Sequence, residues 1–322
     1  MNAIPTPAHP WMHGFVRRHF EMPESTAVAR VGGNPDGPTL VLLHGFPQTH
    51  VMWHRVAQVL ADRFFIVMPD LRGYGDSALR PGVADAADHS THSKRAMAAD
   101  VVAVCEQLGI QRFWLCGHDR GGRVAHRLAL DHPARVAGLC VIDIAPTLDM
   151  YARADMDFAR AYYHWFHLIQ PAPLPETMIG GNALAYLHAK LGGWGSGGLG
   201  HIEPEALAEY ERCFARTAAI HSACEDYRAS AGIDLDHDRA SRAANERIAC
   251  DTLVLWGKRG VVQRLFDPLA LWQAQCAGKV TGEALDAGHF IPEELPQTTA
   301  WALSDFFLGT VDRTPPPGHT ST

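Results

Sequence analysis

The chain has 322 residues, a formal charge of −7 and 47% hydrophobic residues, enough for one large α/β domain carrying an insertion. Its apolar runs reach strand length only, so no transmembrane span is expected; with no basic run, neither nucleic acid nor an acidic membrane is an expected partner. Met1–Met12 lacks the charged start and apolar run of a signal peptide, and the seven cysteines lack paired spacing. Reduced thiols in a cytoplasmic protein are expected, with Cys105, Cys116, Cys140 and Cys250 in the cores of elements.

Phe15–Glu21 and Ala27–Gly32 read as an antiparallel pair leading into the rest. Strand-like runs follow at Thr39–His44, Phe64–Pro69, Arg112–Gly117, Gly138–Ile144 and Thr252–Gly257, alternating with helical stretches at Ser93–Leu108, Arg120–His132 and Pro296–Phe307. That alternation predicts a mostly parallel sheet with helices on both faces. Between Pro146 and about Ile248 strand signals vanish, leaving helical segments, a Pro-rich patch (Pro171-Ala-Pro-Leu-Pro) and a Gly-rich one (Gly192-Gly-Trp-Gly-Ser-Gly-Gly). The expected organisation is an α/β core over 1–146 and 249–311, an inserted helical cap over 147–248, and a disordered Pro-rich tail over 312–322.

The segment Phe113-Trp-Leu-Cys-Gly-His-Asp-Arg-Gly-Gly-Arg reads as a strand, a Gly-x-nucleophile-x-Gly turn and a helix. That is the nucleophile elbow of the α/β-hydrolase fold, with Asp119 at the nucleophile position instead of serine. A serine attacking an sp³ carbon would leave an ether that water cannot cleave, whereas an aspartate leaves a hydrolysable ester. Asp119 therefore points to an alkyl halide or an epoxide.

The other motifs follow in the order this fold requires. His44-Gly-Phe-Pro, after a strand, places the Phe46 amide beside the elbow, where with the Arg120 amide it can form an oxyanion hole. Asp70-Leu-Arg-Gly-Tyr-Gly-Asp-Ser follows the next strand and reads as a structural brace. His289, after the last strand and before the last helix, holds the position of the general base. The loop after Trp256-Gly has no nearby carboxylate, Asp267 being about ten residues on. Asp143, at a buried strand end, needs a partner to be tolerated there, and His289 is a suitable one. Asp143 is therefore expected as the acid.

Arg120 and Arg123 lie three apart on the helix that follows Asp119 and so share a face. Two guanidinium forks without an anionic partner suit one small substrate carboxylate, held with its α-carbon at Asp119. Arg127 has Asp131 at i+4 and reads as a structural pair.

His44-Gly-Phe-Pro-Gln, Asp70-Leu-Arg-Gly-Tyr-Gly-Asp-Ser, Gly117-His-Asp-Arg-Gly-Gly-Arg-Val-Ala-His and Asp226-Tyr-Arg-Ala together resemble the haloacetate dehalogenases, the fluoroacetate dehalogenase branch above all. The resemblance runs from about Phe15 to Leu308 and implies a haloacid anion as substrate, a homodimer, and no metal or organic cofactor. It also implies a halide pocket of His164, Trp165 and Tyr227; without it, Tyr162-Tyr-His-Trp-Phe-His reads as helix packing. Trp194 matches a cap tryptophan that helps close the pocket. Met150 stands where some relatives have aromatic residues, which leaves pocket size open. The nearest alternative is an epoxide hydrolase, which shares Asp119 and His289 and uses two cap tyrosines, with Tyr162, Tyr163, Tyr186 and Tyr210 available. A non-catalytic receptor for a small acid would not need the intact nucleophile, base and acid. No His-Glu-x-x-His arrangement occurs among the 19 histidines.

Overall fold

The computed structural model describes residues 12–309; the expectations for the N-terminal leader and for the 312–322 tail fall outside them. The described residues form a nine-stranded sheet. Its strands are β1 (Phe15–Glu21), β2 (Ser25–Gly33), β3 (Thr39–Leu43), β4 (Phe65–Pro69), β5 (Ala78–Leu79), β6 (Phe113–His118), β7 (Val136–Ile142), β8 (Thr252–Gly257) and β9 (Val280–Leu285). The order is β1-β2-β4-β3-β6-β7-β8-β9, with β5 on β2. Pairing is antiparallel among β1, β2, β4 and β5 and parallel from β4 through to β9. This is the α/β-hydrolase arrangement expected from the motifs.

The central strands are apolar without alternation because both of their faces are covered. Leu40 to Leu43, Leu115, Cys116 and Leu139 to Ile142 are fully buried. Helices α1 (His54–Leu60), α2 (Lys94–Gln107) and α3 (Arg120–Asp131) follow β3, β5 and β6. The chain leaves β3 toward β4 on one side, and β6 pairs on the other. That reversal leaves a crevice at the carboxyl ends of β3 and β6, where ligands of open α/β sheets bind.

Two strand ends differ instructively from expectation. β7 stops at Ile142, two residues early, because Asp143 takes φ 49°; β6 runs through His118 and stops at Asp119, with φ 46°. Both ends are therefore set by a carboxylate in the left-handed region. β9 has no strand signal in the sequence because its residues are mostly half-buried and include Gly282 and Glu283, so it carries no apolar run. Cys250 corrects another expectation: it lies outside any strand and is only half-buried, whereas Cys105, Cys116 and Cys140 are buried, and all are free thiols.

Between β7 and β8 the chain forms eight helices and no strand. Buried ion pairs fasten this insertion to the core, among them Arg127 to Asp238 at 2.7 Å and Lys94 to Asp226. Arg127 also makes the expected pair with Asp131 at 3.1 Å. No helix among the described residues is long and apolar enough to cross a membrane.

Candidate active site

Asp119 occupies a turn so tight that its glycines have no alternative. A Cβ on Gly117 would stand 2.3 Å from the Gly121 carbonyl oxygen, and one on Gly121 would stand 2.4 Å from that of His44. The elbow lifts the carboxylate into the crevice, where the Phe46 amide donates to its Oδ2 at 2.9 Å. Burial by itself would raise the Asp119 pKa, but His289, Arg123 and Arg120 together hold it below the ordinary carboxylate value. The group is a carboxylate at neutral pH despite being buried.

His289 lies on the loop after β9, and its Nδ1 donates to Asp143 Oδ2 at 2.6 Å. The second oxygen of Asp143 accepts from the Gly257 amide at 3.0 Å. The pair expected from chain order therefore meets, across 146 residues. Asp267 instead caps a helix, accepting from the Ala270 amide. Burial lowers the imidazole pKa, yet the Asp143 contact and the charges of Asp143 and Asp119 outweigh it, and the net shift is upward. Glu294 shapes the loop by accepting from the amides of Gly288 and Phe290 at 2.7 and 3.0 Å. His118 donates from Nε2 to the His289 carbonyl at 2.8 Å; burial, then His289, push its pKa down to about 3, so it is a neutral prop.

Arg120 and Arg123 both lie in the first turn of α3 and are buried. The argument from unpartnered guanidinium groups fails for Arg120 and holds for Arg123. Arg120 donates from Nε and Nη2 to the two carboxyl oxygens of Asp226 at 2.8 Å each, and its Nη1 alone is buried without a partner. Asp226 also accepts from Tyr74 at 2.6 Å and from Lys94. Burial alone would raise its pKa, but Arg120 and Lys94 push it strongly down. It arrives on helix Thr217–Ala231, 106 residues away in sequence, which is why α3 by itself does not announce it. Arg123 has neutral partners: its Nη1 donates to the Ala145 carbonyl and to Thr147, its Nη2 lies 3.2 Å from the Met150 sulfur, and its Nε is unpartnered. Burial lowers its pKa, with Asp119 the leading opposing charge. Met150 thus helps to position Arg123.

The insertion places aromatic rings over both arginines. The Arg120 guanidinium lies 4.1 Å from the centre of the Tyr227 ring and that of Arg123 lies 4.7 Å from Trp165. His164, from helix Tyr163–His167, stacks on Phe46 and meets Tyr227 at 5.5 Å between ring centres. Its Nδ1 is buried and unpartnered, and burial, then Lys190, drive its pKa well below 6.5, so the ring is neutral. Trp194 packs edge-on against His289 at 5.1 Å and tilts over His164 at 4.8 Å. Of the other cap tyrosines, Tyr210 donates to Glu293 and Tyr163 is 48% exposed, whereas Tyr162 is buried and feels the charges of Asp143 and Asp119. Asp70 is the expected brace: it accepts from the His50 amide and imidazole, and these more than offset burial to hold its pKa at about 2.

Asp119, Phe46, Arg120 and Arg123 lie together at this crevice, and His289 with Asp143, His164, Trp165, Tyr227, Trp194 and Met150 are joined to them or to one another by the contacts above. Asp226, His118 and Glu294 were not assigned. Asp226 and His118 stand inside sequence motifs, but their buried partners are set by tertiary contacts. Among the described residues, no three His, Cys, Asp or Glu side chains are grouped to hold a metal ion.

Comparison with known proteins places the chain by fold and family. A profile for the alpha/beta hydrolase fold matches residues 38–181. A fluoroacetate dehalogenase of Burkholderia sp is 44% identical over 295 residues, covering 91% of this chain and 94% of that one. A soluble epoxide hydrolase of Corynebacterium sp. is 31% identical over 275 residues, covering 84% and 90%. A crystal structure of a protein from Nostoc sp PCC 7120 superposes with a TM-score of 0.88 at 48% identity, covering 92% and 99%.

Proposed function

The chain belongs to the haloacetate dehalogenase family of the α/β-hydrolases, and from that premise we propose that it hydrolyses fluoroacetate to glycolate and fluoride, and chloroacetate likewise. The observation that carries the reading is Arg123, 3% exposed and with no ion pair among the described residues, beside an ionised Asp119. A buried cation bonded only to neutral groups is costly, and a substrate carboxylate supplies the direct ion pair that Asp119 does not make. The unpartnered Nε of Arg123 and Nη1 of Arg120 are the two donors left for it.

In the first step an Asp119 oxygen attacks the α-carbon. Oδ2 is held by the Phe46 amide, which leaves Oδ1 as the attacking atom. The new C–O bond forms as the carbon–halogen bond breaks, and its electron pair leaves on the halide. Fluoride is a poor leaving group and a strong hydrogen-bond acceptor, so donors from His164, Trp165 and Tyr227 lower that barrier. In the second step His289 takes a proton from water, which attacks the Asp119 carboxyl carbon while the amides of Phe46 and Arg120 hold the oxyanion. Collapse expels glycolate as its alkoxide, which takes the proton back from the imidazolium that Asp143 stabilises, and the Asp119 carboxyl group loses the remaining water proton to solvent, restoring the carboxylate. No cofactor enters either step, and the substrate is the only partner the chemistry requires. A cytoplasmic homodimer is the form in which we expect the protein to act.

The test is halide release from fluoroacetate and chloroacetate by the wild type and by Asp119→Asn. Fluoride release that the variant abolishes supports the whole reading. Chloride release alone keeps the mechanism and removes His164, Trp165 and Tyr227 from halide stabilisation. The epoxide reading has one specific observation in its favour, that Tyr162 and Tyr227 both feel the charge of Asp119. Turnover of styrene oxide that Arg123→Ala leaves intact would establish it instead.

A further inference from the structure

An anionic substrate must approach a chain of net charge −7, which repels it at long range. Beside the site, where the Gly-rich loop of the insertion meets the loop after β8, lies a cleft of about 500 Å³. Its lining includes Ala161, Trp194, Lys258, Gly260, Gln263 and Arg264, and contains no carboxylate. Arg259 also lines it, but its charge is taken up by Asp286 and Glu294. Lys258 and Arg264 are exposed, and neither has an ion pair among the described residues.

The cleft is one side-chain layer from the chemistry. Trp194 lines it and also touches the rings of His289 and His164. Gly260 lies against the acid, since a Cβ there would stand 3.2 Å from Asp143 Oδ1. The charge of Arg264 is felt at Tyr162, inside the cap. Two unpaired cations in a concave, carboxylate-free wall form a local field opposite in sign to that of the whole molecule.

Resting on the functional reading above, we propose that this cleft is the mouth by which the haloacid anion reaches the site, and that Lys258 and Arg264 form an outer docking site for its carboxylate. The two cations capture the anion outside Trp194 and raise its concentration there, and movement of that ring passes it to Arg123. Such a site acts on the rate of association, and salt screens it because both groups are exposed.

The experiment measures association of chloroacetate with the Asp119→Asn enzyme by stopped-flow tryptophan fluorescence, with Trp165 and Trp194 as reporters beside the ligand. In that background the pair Lys258→Gln with Arg264→Gln lowers the on-rate about three- to tenfold at low salt, within the span of electrostatic steering. The difference closes near 0.5 M salt, where the screening length falls to a few ångströms. Lys258→Glu with Arg264→Glu lowers the on-rate further. Arg112→Gln with Lys279→Gln removes the same charge at the opposite, amino-terminal ends of β6 and β9 and leaves the on-rate near its starting value. An on-rate unchanged in the first pair, or lowered equally in the control pair, overturns the docking site. Absence of halide release by the wild type from any haloacetate overturns the functional reading instead, so the two failures are distinct.

Discussion

Replacing Asp226 by Asn tests whether the arginine clamp is built by the cap. The carboxylate accepts two bonds from Arg120 at 2.8 Å, one from Tyr74 at 2.6 Å and one from Lys94, all buried. The amide is neutral and has one acceptor oxygen, so buried Arg120 loses its counter-charge, while Lys94 keeps only Asp234 at 3.4 Å. Breaking a buried pair from one side costs about 3–5 kcal/mol. Against a total stability of about 5–15 kcal/mol, that is a large fraction, and it appears in urea unfolding as an earlier midpoint with an unchanged slope. Arg120, no longer held at Nε and Nη2, also ceases to aim Nη1. Loss of one charge-assisted hydrogen bond to substrate, about 1.5–3 kcal/mol, raises KM for haloacetate about ten- to hundredfold. A variant within 1 kcal/mol of the wild type, with KM unmoved, would refute both the hub and its role in the clamp.

Four further outcomes are expected. His289→Gln stops after one halide per active site and retains a carboxymethyl ester on Asp119, detected by intact-protein mass spectrometry; steady halide release would exclude His289 as the base. Arg123→Ala raises KM for haloacetate by at least about tenfold, as loss of a charged hydrogen bond requires, and Arg123→Lys does not restore it, because an ammonium lacks the planar fork that reaches Thr147 and the substrate together. The acid limb of ester hydrolysis reports His289, and because Asp119 is an uncharged ester in that step, the Asp143 contact is what holds the imidazole pKa up against burial; the limb moves to lower pH in Asp143→Asn, measured on the residual rate. Lys190 is buried over the rings of Tyr163, Tyr186 and Trp194, and burial lowers its pKa from 10.5 to about 8. Between those values the unfolded chain binds the extra proton, so stability rises with pH over that window. Lys190→Met abolishes the rise and stabilises the protein at pH 7 by about 1–2 kcal/mol, the desolvation relieved less the cation–π attraction lost; denaturant unfolding at pH 7 and 10 reads both.

The parts of the protein carried by local chain geometry were legible from the sequence. A short apolar strand, glycines two residues either side of Asp119 and a helix dictate the elbow, because no other residue fits its turn. The order of Phe46, Asp119, Asp143 and His289 follows from the topology of a parallel sheet, in which each successive strand delivers its carboxyl end to the same edge. What tertiary structure decided is the environment of each charge. α3 presents Arg120 and Arg123 alike, one turn apart, and nothing in that turn separates them. The insertion folds back to set Asp226 against Arg120, and it leaves Arg123 with a carbonyl, a hydroxyl and a sulfur. One arginine therefore has a counter-ion within the protein and the other does not. Burial makes that difference decisive, since a charge removed from water depends on the partners within a few ångströms, and these are brought together only when residues a hundred positions apart fold onto one another.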